Sequence, residues 1–502
     1  MKRNSFICCL LVLMLVITGV SCAPKTTVPN GEESGEQTSE HSTESGSLDA
    51  EDSSESDNTD NSGVVGSNGQ GGTGTNPNAP GGVAASNGQI SSKGQGTVST
   101  SSKKNESKPV GTVNDFGGYE FVFGTAYFSN YKNSQGVLDP TNALMKAVAK
   151  VEKEYNCKVK FMSFPSVSAA GTQIINAVMS GTKLCDVAEV QFSRARTVAK
   201  AKACLDLKTL PGLDLNNGNF SEPMTFANTF NNKVYATYAG AVSNIQGLFY
   251  NKQLLSTYAP GNDIEKMYKE GTWTEANFEK ILRTIKAAGK VGLTGETGIL
   301  ALTSSANAGG TTYKDKNNVI FGIVSENGVV GLNFVKKLYN DGLWVRGQNF
   351  NSGAAVFTDG ALWNGKSYAD VNKGFIPWPK GLQNQYIMPM ADGPAWCVPS
   401  NVSKKDYAGT ILNALSEASA EFQQNMRQEY AAAGFSGNSL DVIMWGQKNH
   451  RVDLTTGPDI SAYSAKIDDS VFNKSSEPAS AMQTIRGASQ QVYNDYYGTF
   501  GK

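Results

Sequence analysis

The eight residues Gly360-Ala-Leu-Trp-Asn-Gly-Lys-Ser367 fit the spacing G-x-x-x-x-G-K-[ST], in which backbone N–H groups cradle a phosphate and a lysine reaches over it. That chemistry needs a wrapped loop opening a helix of some length. Here Leu362 and Trp363 would crowd the loop, and the strand-like GFIPWP begins shortly after Ser367, so the phosphate reading is set aside. Other reactive groups are sparse. The stretch from Gly117 onward holds one histidine, His450, which weakens any mechanism resting on a histidine base or a histidine-rich metal site. Cys157, Cys185, Cys204 and Cys397 match no zinc spacing; in an exported chain they could pair in three ways, but lone buried thiols are expected. Asp359 and Asp392 could accept from hydroxyls, although Asp before Gly also makes turns. No motif pairs two acids across a cleft, as glycoside hydrolysis would require. The expectation is no catalytic residue, no metal and no cofactor.

The elements that would position such side chains follow from hydrophobic spacing. YEFVFGTAYF (119–128) starts as a strand, and TNALMKAVAKVEKEYN (141–156) puts Leu144, Val148 and Val151 on one helical face. CKVKFMSF (157–164) alternates like a strand, GTQIINAVMSGT (171–182) reads as a helix and DVAEVQF (186–192) as a short strand. This β-α-β-α-β order predicts an α/β fold with doubly wound sheets and ligand loops at the strands' carboxyl ends. The segments to watch are therefore 125–130 and 193–196. Arg194, just past DVAEVQF, could reach a ligand there.

KVYATYAGAVSNIQGLFYNKQLL (233–255) is a long β-rich run. It leads to EGTWTEANFEKILRTIKAAGK (270–290), where Thr272 and Glu275 form a T-x-x-E capping box and Phe278, Leu282 and Ile285 a buried helix face.

Four features in order resemble the family 1 extracellular solute-binding proteins of ABC importers, the group with the maltose-type sugar binders. They are DVAEVQF after a β-α-β-α unit, a crossing strand into FYNKQLL, the TWTEANF helix start, and FNSGAAVFTDGALW followed by GFIPWPKG (350–381). The resemblance covers 117 to about 430; residues 431–502 match only loosely. It implies a two-lobed, type II periplasmic-binding fold that shuts over its ligand about a hinge near 236–244 and 384–395. In it, Tyr250-Asn251-Lys252 is a joint: Tyr250 packs, Asn251 turns the chain and Lys252 opens the next helix. Asn244, six positions ahead of Tyr250, is implied as a ligand contact, and Trp363 as an aromatic in the cleft. A sugar has a C–H face that an indole covers, while its edge hydroxyls meet amide, carboxylate or guanidinium groups. The candidate ligand residues are Tyr127, Arg194, Asn244, Trp363 and Trp445. Trp273 and Trp344 are expected in the core; Trp378 and Trp396 could be either.

The N-terminus supplies the setting. Lys2 and Arg3 precede an apolar run from Phe6 to Val20, a secretory signal pattern. GVSC, ending at Cys22, resembles a bacterial lipobox and implies a signal peptide 1–21 with Cys22 as lipid anchor. Residues 22–116 read as a disordered tether: beyond Cys22 they carry 13 Asp and Glu against 5 Lys, and no aromatic before Phe116. Its reach is roughly 50–60 Å. The whole chain is −1 and the tether −8, which leaves the body mildly positive, without the basic stripe that nucleic acid would require. The expected organisation is lobe one at 117–238 plus about 390–430 and lobe two at 239–389 plus about 431–502. The expected protein is a monomer on the outer face of the cell membrane, handing a small solute to permease subunits. A sensor of the same fold, a binder of a peptide or anion, and a surface glycosidase are the rival readings.

Overall fold

The computed structural model describes residues 108–296 and 298–500. The leader, Cys22 and the tether up to residue 107 lie outside the described residues. Residues 108–116, expected to end the tether, belong to the body: Phe116 is buried and stacks on Tyr407 at 4.1 Å.

The first sheet is ordered Pro394–Cys397, Val187–Gln191, Tyr119–Thr125, Cys157–Ser163. The three N-terminal strands are parallel, and Pro394–Cys397 runs antiparallel on the edge. The intervening helices, Ala143–Tyr155 and Val167–Met179, start where a side chain takes over an orphan amide. Asn142 accepts from the N–H of Leu144 and Ser166 from that of Ala169. The first helix buries Leu144, Val148 and Val151 as the spacing predicts, and ends at Asn156 in the left-handed region with φ 48°.

The second sheet is ordered Lys373–Ile376, Gln246–Asn251, Ala355–Ala361, Val291–Thr294. Gln246–Asn251 runs antiparallel to both neighbours, while Ala355–Ala361 is parallel to Val291–Thr294. Helices Glu275–Ala287 and Gly298–Ala308 flank it. Tyr250-Asn251-Lys252 behaves as the joint the resemblance implied. Tyr250 is buried, Asn251 caps helix Lys252–Tyr258 by accepting from Leu254 N–H at 3.0 Å, and Lys252 begins that helix.

Two expectations need correction. The T-x-x-E box is not formed: Thr274 caps helix Glu275–Ala287, accepting from Asn277 N–H. Thr272 is held in the preceding turn by its N–H to Met267 O, and Glu275 turns inward to accept from Trp378 and Asn307. Nor is 233–255 one long strand. Its ladder is confined to Lys233–Val234 and Gln246–Asn251, and between them the chain crosses from one sheet to the other.

That crossing runs beside a second one. Thr237 and Trp396 exchange main-chain hydrogen bonds at 3.1 and 2.7 Å, and Ala391 N–H donates to Asn244 O at 3.1 Å. Trp273, Trp344, Trp378 and Trp396 are all buried. Helices Ser461–Phe472 and Pro478–Tyr497 pack on helix Glu326–Asn340. Among the described residues no helix is long and apolar enough to cross a membrane.

The four body cysteines are free and buried. Burial pushes Cys157 up to about 11 and raises the other three as well. Since the thiolate is the reactive form, a thiol reagent at pH 8 should leave these four unmodified in native protein and modify all four in urea. Peptide mapping reads the outcome, and rapid native modification of any of them would contradict the packing.

Candidate functional site

The loop after strand Tyr119–Thr125 is built on Glu189, which is fully buried in strand Val187–Gln191. Its carboxyl group accepts from Thr125 Oγ1 at 2.7 Å, from Tyr131 OH at 2.6 and 2.7 Å, and from Trp396 Nε1 at 3.3 Å. Burial pushes its pKa up and those three donors pull it back. Thr125 Oγ1 also accepts Tyr127 N–H at 2.9 Å, so the orientation of the Tyr127 loop traces back to Glu189. The Tyr127 hydroxyl is itself pushed up by burial and by the charges of Asp392 and Glu189.

Strand Val187–Gln191 runs directly into helix Phe192–Lys200. Asp392, from the second crossing, caps that helix: its carboxylate accepts from Ser193 N–H at 3.2 Å, from the Ser193 hydroxyl and from its own neighbour Gly393 N–H at 3.1 Å. Burial raises the Asp392 pKa, while Ser193, Arg196 and Arg194 lower it. Arg194 projects from the first turn with a buried Nε that has no partner. Arg196, fully buried, lies over the Phe192 ring at 4.6 Å and donates to Thr456 O at 3.0 Å.

Asn244 sits between the crossings. Its side-chain N–H donates to Asp392 O, while its own carbonyl accepts from Ala391. Its neighbours hold the loop bearing Trp363: Leu362 N–H donates to Ile245 O at 2.8 Å and Trp363 N–H to Ser243 O at 3.1 Å. The Trp363 residue is 52 % exposed, rare for an indole. Tyr127, Arg194, Asn244 and Trp363 thus lie along one connected path through Asp392. Trp445 does not join it in any described contact; it is partly buried on helix Asn438–Asn449, beside Gly446, which faces Met388 and Ile245 of the crossings.

On the second sheet Asp359 meets the start of helix Gly298–Ala308. It accepts from Glu296 N–H at 3.2 Å, and a Cβ at Gly295 or Gly298 would collide with its carboxylate. The residue as a whole is only partly buried, but the carboxylate end is enclosed. Burial pushes it up to about 7; the Glu296 amide lowers it, the Glu296 charge raises it and Arg346 lowers it. Arg346 is paired with Glu296.

The G-x-x-x-x-G-K-S motif makes no phosphate cradle. Strand Ala355–Ala361 passes into a single 3₁₀ turn, Leu362–Lys366, and Lys366 pairs with Glu429. Among the described residues no group of three or more His, Cys, Asp or Glu is placed to hold a metal. A cavity of about 870 Å³ is walled by residues such as Leu213, Phe220 and Phe226 with Gln447 and Lys448, and by Ala239, Gly240 and Val242 of the first crossing; Tyr127, Arg194, Asn244 and Trp363 do not line it. Sequence reasoning missed Glu189; Ser193 and Arg196 lie within the segment 193–196 that it singled out, where only Arg194 was named as a candidate. The one available signal was an acid inside the apolar strand DVAEVQF.

The family model described as bacterial extracellular solute-binding protein matches residues 146–434. No curated protein matches the sequence. Solved structures with a similar fold include a cyclic α-maltosyl-1,6-maltose binding protein from Arthrobacter globiformis, at 16% identity and TM-score 0.56, covering 76% of this chain and 99% of its own. A cyclo/maltodextrin-binding protein complexed with maltotetraose aligns at 16% identity and TM-score 0.54, covering 77% and 99%. The GacH receptor of Streptomyces glaucescens GLA.O, solved unliganded and with acarbose and an acarbose homolog, aligns at 16% and 0.50, covering 76% and 99%. At that identity the likeness is one of fold.

Glu189→Gln replaces an accepting oxygen by a donating NH₂ amid three donors, and should lower stability by about 1–3 kcal/mol in urea titration; an unchanged midpoint would remove Glu189 from its central place. Asp359 has a folded value of about 7 against 3.8 as its ordinary value. The group therefore favours the fold fully below about 3.8, and that contribution is lost as pH rises through about 7. Asp359→Asn, a mimic of the protonated form, should raise the melting temperature at pH 8 and change it little at pH 4. Calorimetry at the two pH values gives the comparison, and an equal effect at both would contradict this sign.

Proposed function

The chain belongs to the bacterial extracellular solute-binding proteins, and from that membership we propose that it captures a sugar or oligosaccharide outside the cell and delivers it to the permease of an ABC importer. The observation that carries the sugar reading is Trp363: a half-exposed indole, fixed by its main chain to the crossing that also holds Asn244. An exposed indole offers the flat apolar face that the C–H side of a pyranose covers. The three proteins of similar fold are titled as binders of maltodextrins, cyclic maltosides or acarbose, which supports the same class.

In this reading Tyr127 and Arg194 present polar groups from the first lobe, the unpartnered Arg194 Nε taking a hydroxyl oxygen. Asn244 contributes from the crossing, and Trp363 with Trp445 from the second lobe. Capture works by closure. The two sheets move as bodies about the paired crossings near 236–246 and 388–397, and no bond is broken. Asp392 fits this role better than acid–base chemistry, because its oxygens are engaged in capping helix Phe192–Lys200.

The lobes we propose are 117–238 with about 390–430, and 239–389 with about 431–502. Helices Lys405–Ser416 and Ser419–Ala432 packing on Ala143–Tyr155 support the first; helix Asn438–Asn449 packing on strand Lys373–Ile376 supports the second. Removal of 1–21 and lipidation of Cys22 would leave the body on a tether at the outer face of the cell membrane, acting as a monomer.

Titration with maltose, maltotriose and maltotetraose should give saturable heat and a smaller radius of gyration in small-angle scattering. Trp363→Ala should weaken the best of these by about 2 kcal/mol, some thirtyfold, with little change in melting temperature. Absence of any saturable response to the three sugars would sink the sugar class, while a response without compaction would sink closure.

A further inference from the structure

A small cavity of about 260 Å³ lies between helix Glu222–Ala227 and strand His450–Val452. Three cations line it, Lys314, Lys448 and Arg451, against one carboxylate, Glu222. Lys314 is only 9 % exposed. Its ammonium donates to Phe226 O at 3.0 Å and to Thr229 O, and stands 4.5 and 5.1 Å over the Phe226 and Phe230 rings. None of these partners is an anion, and burial pulls the ammonium down to about 8. Arg451 donates through Nη1 to Gly309 O at 2.5 Å and lies 5.3 Å over Tyr313. The acid within its electrostatic reach is Asp315, and the two form no ion pair in the described contacts. Buried cations without counter-ions are costly, and a neighbouring anion offsets that cost.

His450 also lines the cavity and is 3 % exposed. Its Nδ1 lies 3.0 Å from Gly446 O, which assigns the proton to Nδ1, and Nε2 has no partner. Burial pulls the ring down to about 4, so it is neutral at physiological pH. Nε2 has no surface open to a water-sized atom, so the ring walls the cavity without adding charge and the three cations set its sign.

We infer that this cavity is a site for a phosphate group, with Lys448, Arg451 and Lys314 facing its charged oxygens. The volume exceeds a lone phosphate. The adjoining groove of about 870 Å³ shares Glu222, Phe226 and Lys448, so it has room for the remainder of a phosphorylated small molecule. None of the residues lining the small cavity belongs to the Trp363 path, and the inference does not depend on the sugar reading.

The test is calorimetric titration of the full chain with inorganic phosphate and with glucose 6-phosphate, against sodium chloride at matched ionic strength and glucose alone. Saturable binding of phosphate, with no saturable response to chloride, supports the site. Tighter binding of glucose 6-phosphate than of phosphate identifies an organic phosphate as the occupant, and equal binding identifies the free ion. Lys448→Gln, at an exposed position that leaves folding intact, should weaken phosphate about tenfold, as should Arg451→Gln; Trp363→Ala should not. No saturable response to phosphate, or full affinity in Lys448→Gln, would overturn the inference.

Discussion

Two oxygens of one buried carboxyl group fix the geometry from which the rest of the site follows. Glu189 lies in the middle of an apolar sheet, where an unpartnered carboxyl would be strongly unfavourable. It is tolerated because three donors converge on it, and those donors come from separate parts of the chain. Thr125 and Tyr131 bracket the loop that carries Tyr127. Trp396 belongs to the edge strand that continues from the second crossing, and its ring meets Phe123 and Tyr238 edge-on at 6.2 and 5.4 Å. Since the main chain of Trp396 also pairs with Thr237, one group sets both the loop that carries Tyr127 and the start of each crossing. A satisfied buried network of this kind specifies one arrangement more sharply than apolar packing alone.

From the crossings the order propagates outward by main-chain hydrogen bonds. Asp392 caps helix Phe192–Lys200 on one side and accepts the Asn244 amide on the other. Asn244 in turn is flanked by Ser243 and Ile245, which hold Trp363 and Leu362. Side chains from both sheets are therefore registered against the same short stretch of chain. Between the sheets that stretch makes only isolated bridges, at Thr237–Trp396 and Ile245–Met390, whereas each sheet has continuous ladders. Bending is easiest where the ladder is thinnest, which is the stretch the proposed closure uses.

Much of this fold was legible because periodicity is a local property. The β-α-β-α-β unit showed in the alternation of apolar residues, and Tyr250-Asn251-Lys252 showed as a joint because capping by Asn251 needs only its own neighbours. The capping box failed for a comparable reason in reverse. Thr272 and Thr274 both stand near Glu275, and the choice between them was made by contacts distant in sequence, with Trp378 and Asn307 drawing Glu275 inward. The run 233–255 has strand composition throughout, but a strand also needs a partner, and the middle of that run finds only the other crossing. Glu189 was invisible as a site builder because Thr125, Tyr131 and Trp396 reach it only after folding. Trp363, which the family resemblance implied as a cleft aromatic, is half-exposed and bonded to the crossing, while Trp445, a candidate for stacking, shares no described contact with that path.

Among the buried polar atoms without partners, Arg194 Nε and Arg196 Nε and Nη1 belong to the helix that follows strand Val187–Gln191, and His450 Nε2 to the strand paired with Met388–Met390. Arg196 reaches from the first sheet's helix to Thr456, and Lys314 reaches from the hairpin beside strand Asn318–Phe321 to Phe226 and Thr229. Each of these cations gives up hydration for a few carbonyl bonds, so the contacts they make bring only a modest net gain. That modesty suits a receptor. A ligand can shift a conformational equilibrium only by its difference in affinity for the two forms. Under the proposed closure, lobes welded by a fully apolar interface would sit shut without a guest, whereas lobes joined through imperfectly satisfied cations would stay close to balance, so that a guest preferring one form decides the outcome.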